Sequence, residues 1–266
     1  MDLYFECNSG ISGDMSVAAL LDAGASKEKL EKALNSMKLQ NEFSYNIKKV
    51  SVNAIQATDF DVIIPNLEEH HHEHHCHEHH HEPHQEHNHE HNHEHHHEHR
   101  NLEDVNKIIE MAEMTDNAKN LAKKIFKIVA QAESIVHGKD ISEVHFHEVG
   151  AIDSIADIVS FSVLFDDISP DKVYFSTLAE GHGTIECQHG TLNIPVPAVC
   201  EIVSKYNIPI RITENEGEMV TPTGAAIVAA LYSGEKLPDE IKINKVGYGA
   251  GKRKYKNPVL RVMLIN

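Results

Sequence analysis

Apolar residues along this chain repeat with two periods, and the changes between them mark out its elements. Leu3-Tyr4-Phe5-Glu6-Cys7 reads as a short strand, Met15 to Ala23 as a helix stopped by Gly24, and Ser26 caps a second helix with Leu30, Ala33, Leu34 and Met37 on its core face. Phe43, Tyr45 and Ile47 alternate as in a half-buried strand, and a further β segment runs from Ala54 through Ile64 to Pro65. The first third is therefore β-α-α-β-β. Beyond residue 100, Asn101 caps a helix bearing Leu102, Val105, Ile108 and Ile109. Thr115 caps a longer one whose stripe from Leu121 to Ile135 ends at Gly138. Val144 to His147 reads as extended and the segment from Asp153 as helical. Lys172–Ser176, Ile208–Thr213 and Val259–Ile265 read as strands, and helices open at Pro197 and at Thr221-Pro222. The fold class expected is α+β, with mixed α/β layers.

Between Glu68 and His99 both periods vanish. Nearly every residue there is His or Glu, with 18 of the chain's 23 histidines, nine glutamates, and no lysine or arginine. Nothing in the tract is large and apolar enough to offset the entropy of ordering, so a disordered His/Glu-rich insertion is expected. The organisation anticipated is an N-terminal α+β segment (1–67), the tract (68–100), and a C-terminal α/β segment (101–266) packing with 1–67 as one domain. Outside the tract the chain is only mildly acidic, although its formal net charge is −17. An acidic chain is repelled by phosphate backbones, so nucleic acid is excluded as main partner. No apolar run reaches the length of a membrane span, and Met1–Glu6 lacks the features of a signal segment. No membrane partner and a cytoplasmic location are expected, with Cys7, Cys76, Cys187 and Cys200 as free thiols.

The candidate chemistry concentrates in a few stretches. Ser9, Gly10, Ser12 and Gly13 lie in a glycine-containing loop between a strand and a helix, where backbone N–H groups can converge on an anion. An ordinary βα turn capped by Ser12 accounts for it equally, with Asp14 either completing the cap or reaching toward a cation. His145 and His147 fall on one face of an extended segment, and Asp153 and Asp157 on one face of a helix. Two imidazoles and two carboxylates within so short a stretch suit a borderline divalent cation. His182 and His189 stand beside glycines, as ligands, proton carriers or turn residues. Thr221 and Thr223 at a helix start, and Gly249 and Gly251 before Lys252-Arg253-Lys254, are candidate phosphate contacts. His137, near a helix end, reads as a dipole-favoured residue.

Taken in order, Asn8-Ser9-Gly10-Ile11-Ser12-Gly13-Asp14-Met15, His145-Phe146-His147-Glu148-Val149-Gly150-Ala151-Ile152-Asp153-Ser154-Ile155-Ala156-Asp157, Gly181-His182-Gly183, His189-Gly190, Pro195-Val196-Pro197-Ala198, Thr221-Pro222-Thr223-Gly224-Ala225-Ala226 and Gly247-Tyr248-Gly249-Ala250-Gly251 resemble the LarC family of nickel-insertion proteins. The resemblance spans nearly the whole chain. It implies insertion of Ni²⁺ into pyridinium-3,5-bisthiocarboxylic acid mononucleotide, a lyase-type step in nickel-pincer cofactor biosynthesis and lactate racemase maturation. It also implies CTP with Mn²⁺ or Mg²⁺ and a cytidylylated intermediate, with CTP bound by a C-terminal domain past the Gly247–Gly251 region, which either a separate chain supplies or a longer form of this chain carries. On this reading His145, His147, Asp153 and Asp157 are metal or metal–nucleotide ligands. Asp14, Glu148, His182 and His189 move protons or orient the substrate. The tract, including His70, His71, His72, His74, His75, His77, His79, His80, His81, His95, His96, His97 and His99, collects nickel. A homo-oligomer is left open as a further partnership. A non-enzymatic nickel or zinc storage and delivery protein is the alternative, and a metal-dependent phosphohydrolase leaves the tract without a purpose.

Overall fold

The computed structural model describes residues 1–65, 100–143, 152–187, 190–253, 255 and 258–266. The histidine tract, His145, His147, Glu148 and His189 lie outside the described residues. Among these, seven helices and ten strands give the α+β class anticipated.

The central six-stranded sheet has the order β2-β3-β9-β10-β1-β4. Strand β1 (Asp2–Glu6) pairs antiparallel with β10 (Val259–Ile265) on one side and parallel with β4 (Val173–Phe175) on the other. Strands β2 (Ser44–Val52) and β3 (Ile55–Ile63) form an antiparallel hairpin that joins the rest only through β9 (Ile243–Ala250), where Thr58 stands opposite Gly249. Leu3 and Phe5 point into the main core from β1, and Phe5 stacks on Phe175 with ring centroids 5.0 Å apart.

Helix α1 (Gly13–Asp22) lies on this sheet against β3, β9 and β10. It can approach closely because Gly247 and Gly249 carry no side chain. A Cβ on Gly249 would stand 2.8 Å from Ala19 N and nearer still to Met15 O. Of the run Gly247–Gly251, read from the sequence as a candidate phosphate contact, Gly247–Ala250 lies in strand β9, where Gly247 and Gly249 face α1.

Helix α5 (Ile152–Ile168) is buried around most of its circumference, among α1, α2 (Lys27–Ser36) and α4 (Asp116–His137). That position explains why it shows no polar stripe. The predicted caps largely form: Ser26, Asn101, Thr115 and Thr221 each accept a backbone N–H, Asn101 within a full capping box with Asp104. Helix α3 (Leu102–Met111) starts at that box, and α4 ends on Gly138 with φ of 61°. Ser12 is the exception. Its hydroxyl donates to the Asp14 carboxylate instead of capping α1.

The remaining elements follow β4. Strand β5 (Leu178–His182) runs parallel to β8 (Ile210–Glu216), and β6 (Thr184–Cys187) forms a hairpin with β7 (Gly190–Asn193). Helices α6 (Pro197–Lys205) and α7 (Pro222–Leu231) pack on α4, each with proline at its start.

Candidate functional site

Two loop segments pair with each other and so bring two helix starts side by side. Ile11 N donates to Met219 O at 2.9 Å, and Thr221 N donates to Ile11 O at 3.1 Å. Gly10 takes φ of 78° where a Cβ would meet Met219 O, so this loop needs glycine for both conformation and space. Gly224 faces Ile11 O just as closely. The N-termini of α1 and α7 therefore open onto the same space.

That space is a cavity of about 710 Å³, and the first residues of four helices line it: Ser12–Asp14 of α1, Asp153 and Ser154 of α5, Val196–Ala198 of α6 and Thr221–Thr223 of α7. Each helix start turns backbone N–H groups and the positive end of its dipole toward the cavity. Lys252, Arg253 and Tyr255 line it from the segment after β9. Such a pole suits an anion, and the volume falls in the range of small-ligand pockets.

Acidic side chains stand against this pole. Asp157 packs under Gly13, whose added Cβ would lie 2.8 Å from the Asp157 Cβ. Burial, then the charges of Asp14 and Asp153, push the Asp157 carboxyl well above the ordinary carboxylate range, with Lys252 opposing. Its Oδ1 is shut off from solvent and meets no hydrogen-bond donor among the described residues. Asp153 still reaches water through the cavity, yet the surrounding protein also moves its carboxyl up, against hydrogen bonding from the Ser154 N–H. Lys252 pairs with Asp61 and stands 3.9 Å from Asp14, and Arg253 pairs with Glu218 at 2.5 Å. Burial pulls the Lys252 ammonium down, but Asp61, Asp14 and Asp59 outweigh it and its pKa rises. The Tyr255 hydroxyl donates to Ser9 O at 2.7 Å, tying this segment to the Ser9–Gly13 loop.

The cavity thus assembles Ser12, Gly13, Asp14, Asp153, Asp157, Thr221, Thr223 and Gly251 from the sequence expectations. Ser9 contributes through its carbonyl to Tyr255, and Gly10 through the turn. Gly249 lies under α1 and His182 at the exposed end of β5, neither of them on the cavity wall. Sequence reasoning passed over Glu133 and read His137 only as a dipole-favoured residue; both line the cavity, and they pair at 3.2 Å. Their i,i+4 spacing was the available signal. Among the described residues no three His, Cys, Asp or Glu side chains are close enough to hold a metal ion.

A family model described as nickel insertion protein matches residues 3–266. The chain belongs to the nickel insertion protein family. Within it, a pyridinium-3,5-bisthiocarboxylic acid mononucleotide nickel insertion protein of Alkaliphilus metalliredigens is 45% identical over 264 residues, covering 99% of this chain and 60% of that protein. A protein of the same description from Clostridium acetobutylicum is 42% identical over 269 residues, 98% of this chain and 63% of the relative. One from Acetivibrio thermocellus is 42% identical over 251 residues, 94% of this chain and 56% of the relative. The chain spans about three-fifths of the length of the nickel insertion proteins it matches. No solved structure matches it. Among the described residues no helix is long and apolar enough to cross a membrane.

Proposed function

We propose that this chain carries the substrate- and metal-receiving part of a nickel insertion enzyme, and that the cavity takes pyridinium-3,5-bisthiocarboxylic acid mononucleotide. The observation that carries the reading is the meeting of four helix N-termini with a carboxylate cluster in one cavity. A phosphorylated, doubly thiocarboxylated substrate needs an anion pole, and a divalent cation replacing a ring proton needs carboxylates beside it.

In the proposed step the pyridinium C–H bond breaks and its electron pair becomes the nickel–carbon bond. The proton passes to a carboxylate, and each thiocarboxylate sulfur donates a pair to nickel. Lys252, Arg253 and the α1 and α7 starts bind the phosphate. They are held ready by their present acidic partners, which an incoming anion replaces. Asp14, Asp153 and Asp157, which do not form a metal site by themselves, contribute single nickel contacts or take the displaced proton, and a carboxyl whose pKa burial has raised is the better proton acceptor. His145, His147 and Glu148 directly precede α5 in the chain and are proposed to complete the nickel site. The tract from residue 68 to 99 delivers the metal. CTP with Mn²⁺ or Mg²⁺, bound by a C-terminal domain or a separate chain, would activate the substrate by transferring its cytidylyl group to the mononucleotide phosphate, with pyrophosphate as the leaving group.

The test mixes protein, Ni²⁺, the bisthiocarboxylate mononucleotide and CTP, with and without the C-terminal domain, and follows the absorbance of the nickel complex. Metallation is expected only with the domain present, and to fall by about two orders of magnitude in Asp153→Asn. Unchanged metallation in a combined Asp14→Asn, Asp153→Asn variant refutes the assignment.

A further inference from the structure

Glu180 has no exposed surface, and it does not line the cavity. A charge in such a position is costly unless it is hydrogen-bonded. Its Oε1 accepts three backbone N–H groups: Gly181 at 2.8 Å, Met219 at 2.7 Å and Val220 at 3.1 Å. Gly181 is the residue next in chain, but Met219 and Val220 belong to the segment that pairs with Ile11 and leads into α7. Glu180 stands where the β5–β8 register shifts, between Glu180 and His182. The shift depends on close passage of two backbones, since a Cβ on Gly181 would stand 2.8 Å from Asn215 O and closer to Gly217 O.

We propose that Glu180 is a positioning residue for the cavity: through Met219 and Val220 it fixes the strand pairing that sets the α1 and α7 N-termini against each other. The chain of contacts is continuous. Glu180 holds Met219 N and Val220 N; Met219 O holds Ile11 N; Ile11 O holds Thr221 N, the N-cap of α7. Glu218, one residue before Met219, presents the carboxylate that pairs with Arg253. Without Glu180, two N–H groups of this segment lose their acceptor, and both helix starts lose their common reference. The Gly181-His182-Gly183 motif thereby acquires a role that does not need His182 to touch substrate.

This inference rests on the proposed nickel insertion, so the experiment separates the two. Steady-state metallation of the bisthiocarboxylate mononucleotide by Ni²⁺ and CTP is measured on the protein with its C-terminal domain. The variants are Glu180→Gln, Glu180→Leu, Glu180→Asp and a remote core control, Leu30→Val in α2, with thermal melts for each. Glutamine keeps an oxygen for the three N–H groups and is expected to stay within about twofold of the parent in kcat/KM. Leucine removes the acceptor and is expected to lose at least about tenfold while still folded, because small misplacements of binding groups carry large rate costs. Aspartate withdraws the carboxylate by one methylene and falls between, which keeps the test decisive should the leucine variant not fold. Leu30→Val lowers the melting temperature without moving kcat/KM. A parent protein that never metallates overturns the proposed function and this inference with it. With an active parent, the positioning role alone falls if leucine and aspartate match the parent, if glutamine is as damaged as leucine, or if Leu30→Val loses activity equally.

Discussion

Replacing Gly249 by alanine sets two effects of opposite sign against each other. In a strand, alanine ordinarily gains about 0.5–1 kcal/mol over glycine through the entropy of the unfolded chain. Here the new Cβ would stand 2.8 Å from Ala19 N and 3.0 Å from Met15 C, with Met15 O nearer still. All three are backbone atoms of α1, so no rotamer change relieves the overlap, and the helix must lift from β9 by roughly 1 Å to reach an ordinary C···O separation. Overpacking of this kind costs up to about 3 kcal/mol, which leaves a net loss near 2 kcal/mol. For a chain of this size that is a fall in melting temperature of about 4–8 °C. Gly251→Ala is the contrast, because the atoms facing its Cβ belong to the flexible Met15 side chain, with Sδ at 2.9 Å, and it should cost under about 1 kcal/mol. Circular-dichroism melts of the two variants decide the matter. An unchanged or raised melting temperature in Gly249→Ala refutes the packing role, and weakened mononucleotide binding without a thermal loss would return Gly249 to phosphate contact.

Two more expectations can be checked on the same protein. Burial, with Asp14 and Asp153 alongside, raises the Asp157 pKa above its unfolded value, so the native state binds more protons from about pH 4 upward and stability falls as pH rises through that interval. Asp157→Asn removes the loss and is expected to melt higher than the parent at pH 8 and equally at pH 4; a variant that melts lower at pH 8 contradicts this. Deleting residues 68–99 is expected to reduce bound nickel, measured by elemental analysis, while metallation with nickel in excess survives. Complete loss of metallation at saturating nickel would show the tract to be part of the chemistry.

Local signals carried much of the fold. Asn101, Thr115 and Thr221 were readable as caps because their hydrogen bonds close within three residues, and Gly138 as a helix end because the chain needs a left-handed residue there. Strand β9 was not readable. Gly247 and Gly249 have poor β-propensity, and they are tolerated because α1 fills the space their side chains would occupy, a partner more than 220 residues away in sequence. The site divides in the same way. Asp153 and Asp157 announced themselves by helical spacing, and the Ser12–Asp14 loop by its glycines between a strand and a helix. Glu218 and Tyr255 carried no such signal: Glu218 comes to the cavity beside the Ile11–Met219 pairing, and Tyr255 lines it with its hydroxyl on Ser9 O, contacts that no single stretch of sequence reveals. Glu180 gave no signal either, because its partners are backbone groups with no sequence signature of their own.

The sheet order has a consequence for the timing of synthesis. Strand β1 is made first, but its antiparallel neighbour β10 and the β9 strand that links in the β2–β3 hairpin come from residues 243–265. At ordinary elongation rates of about 5–20 residues per second, the histidine tract leaves the ribosome roughly 7–30 s before those strands exist. Through that interval the tract's 18 histidines are already made while the strands that complete the sheet are not. Under the proposed role of the tract, nickel capture can therefore begin on a chain whose sheet is still open, and the strand order sets how long that interval lasts.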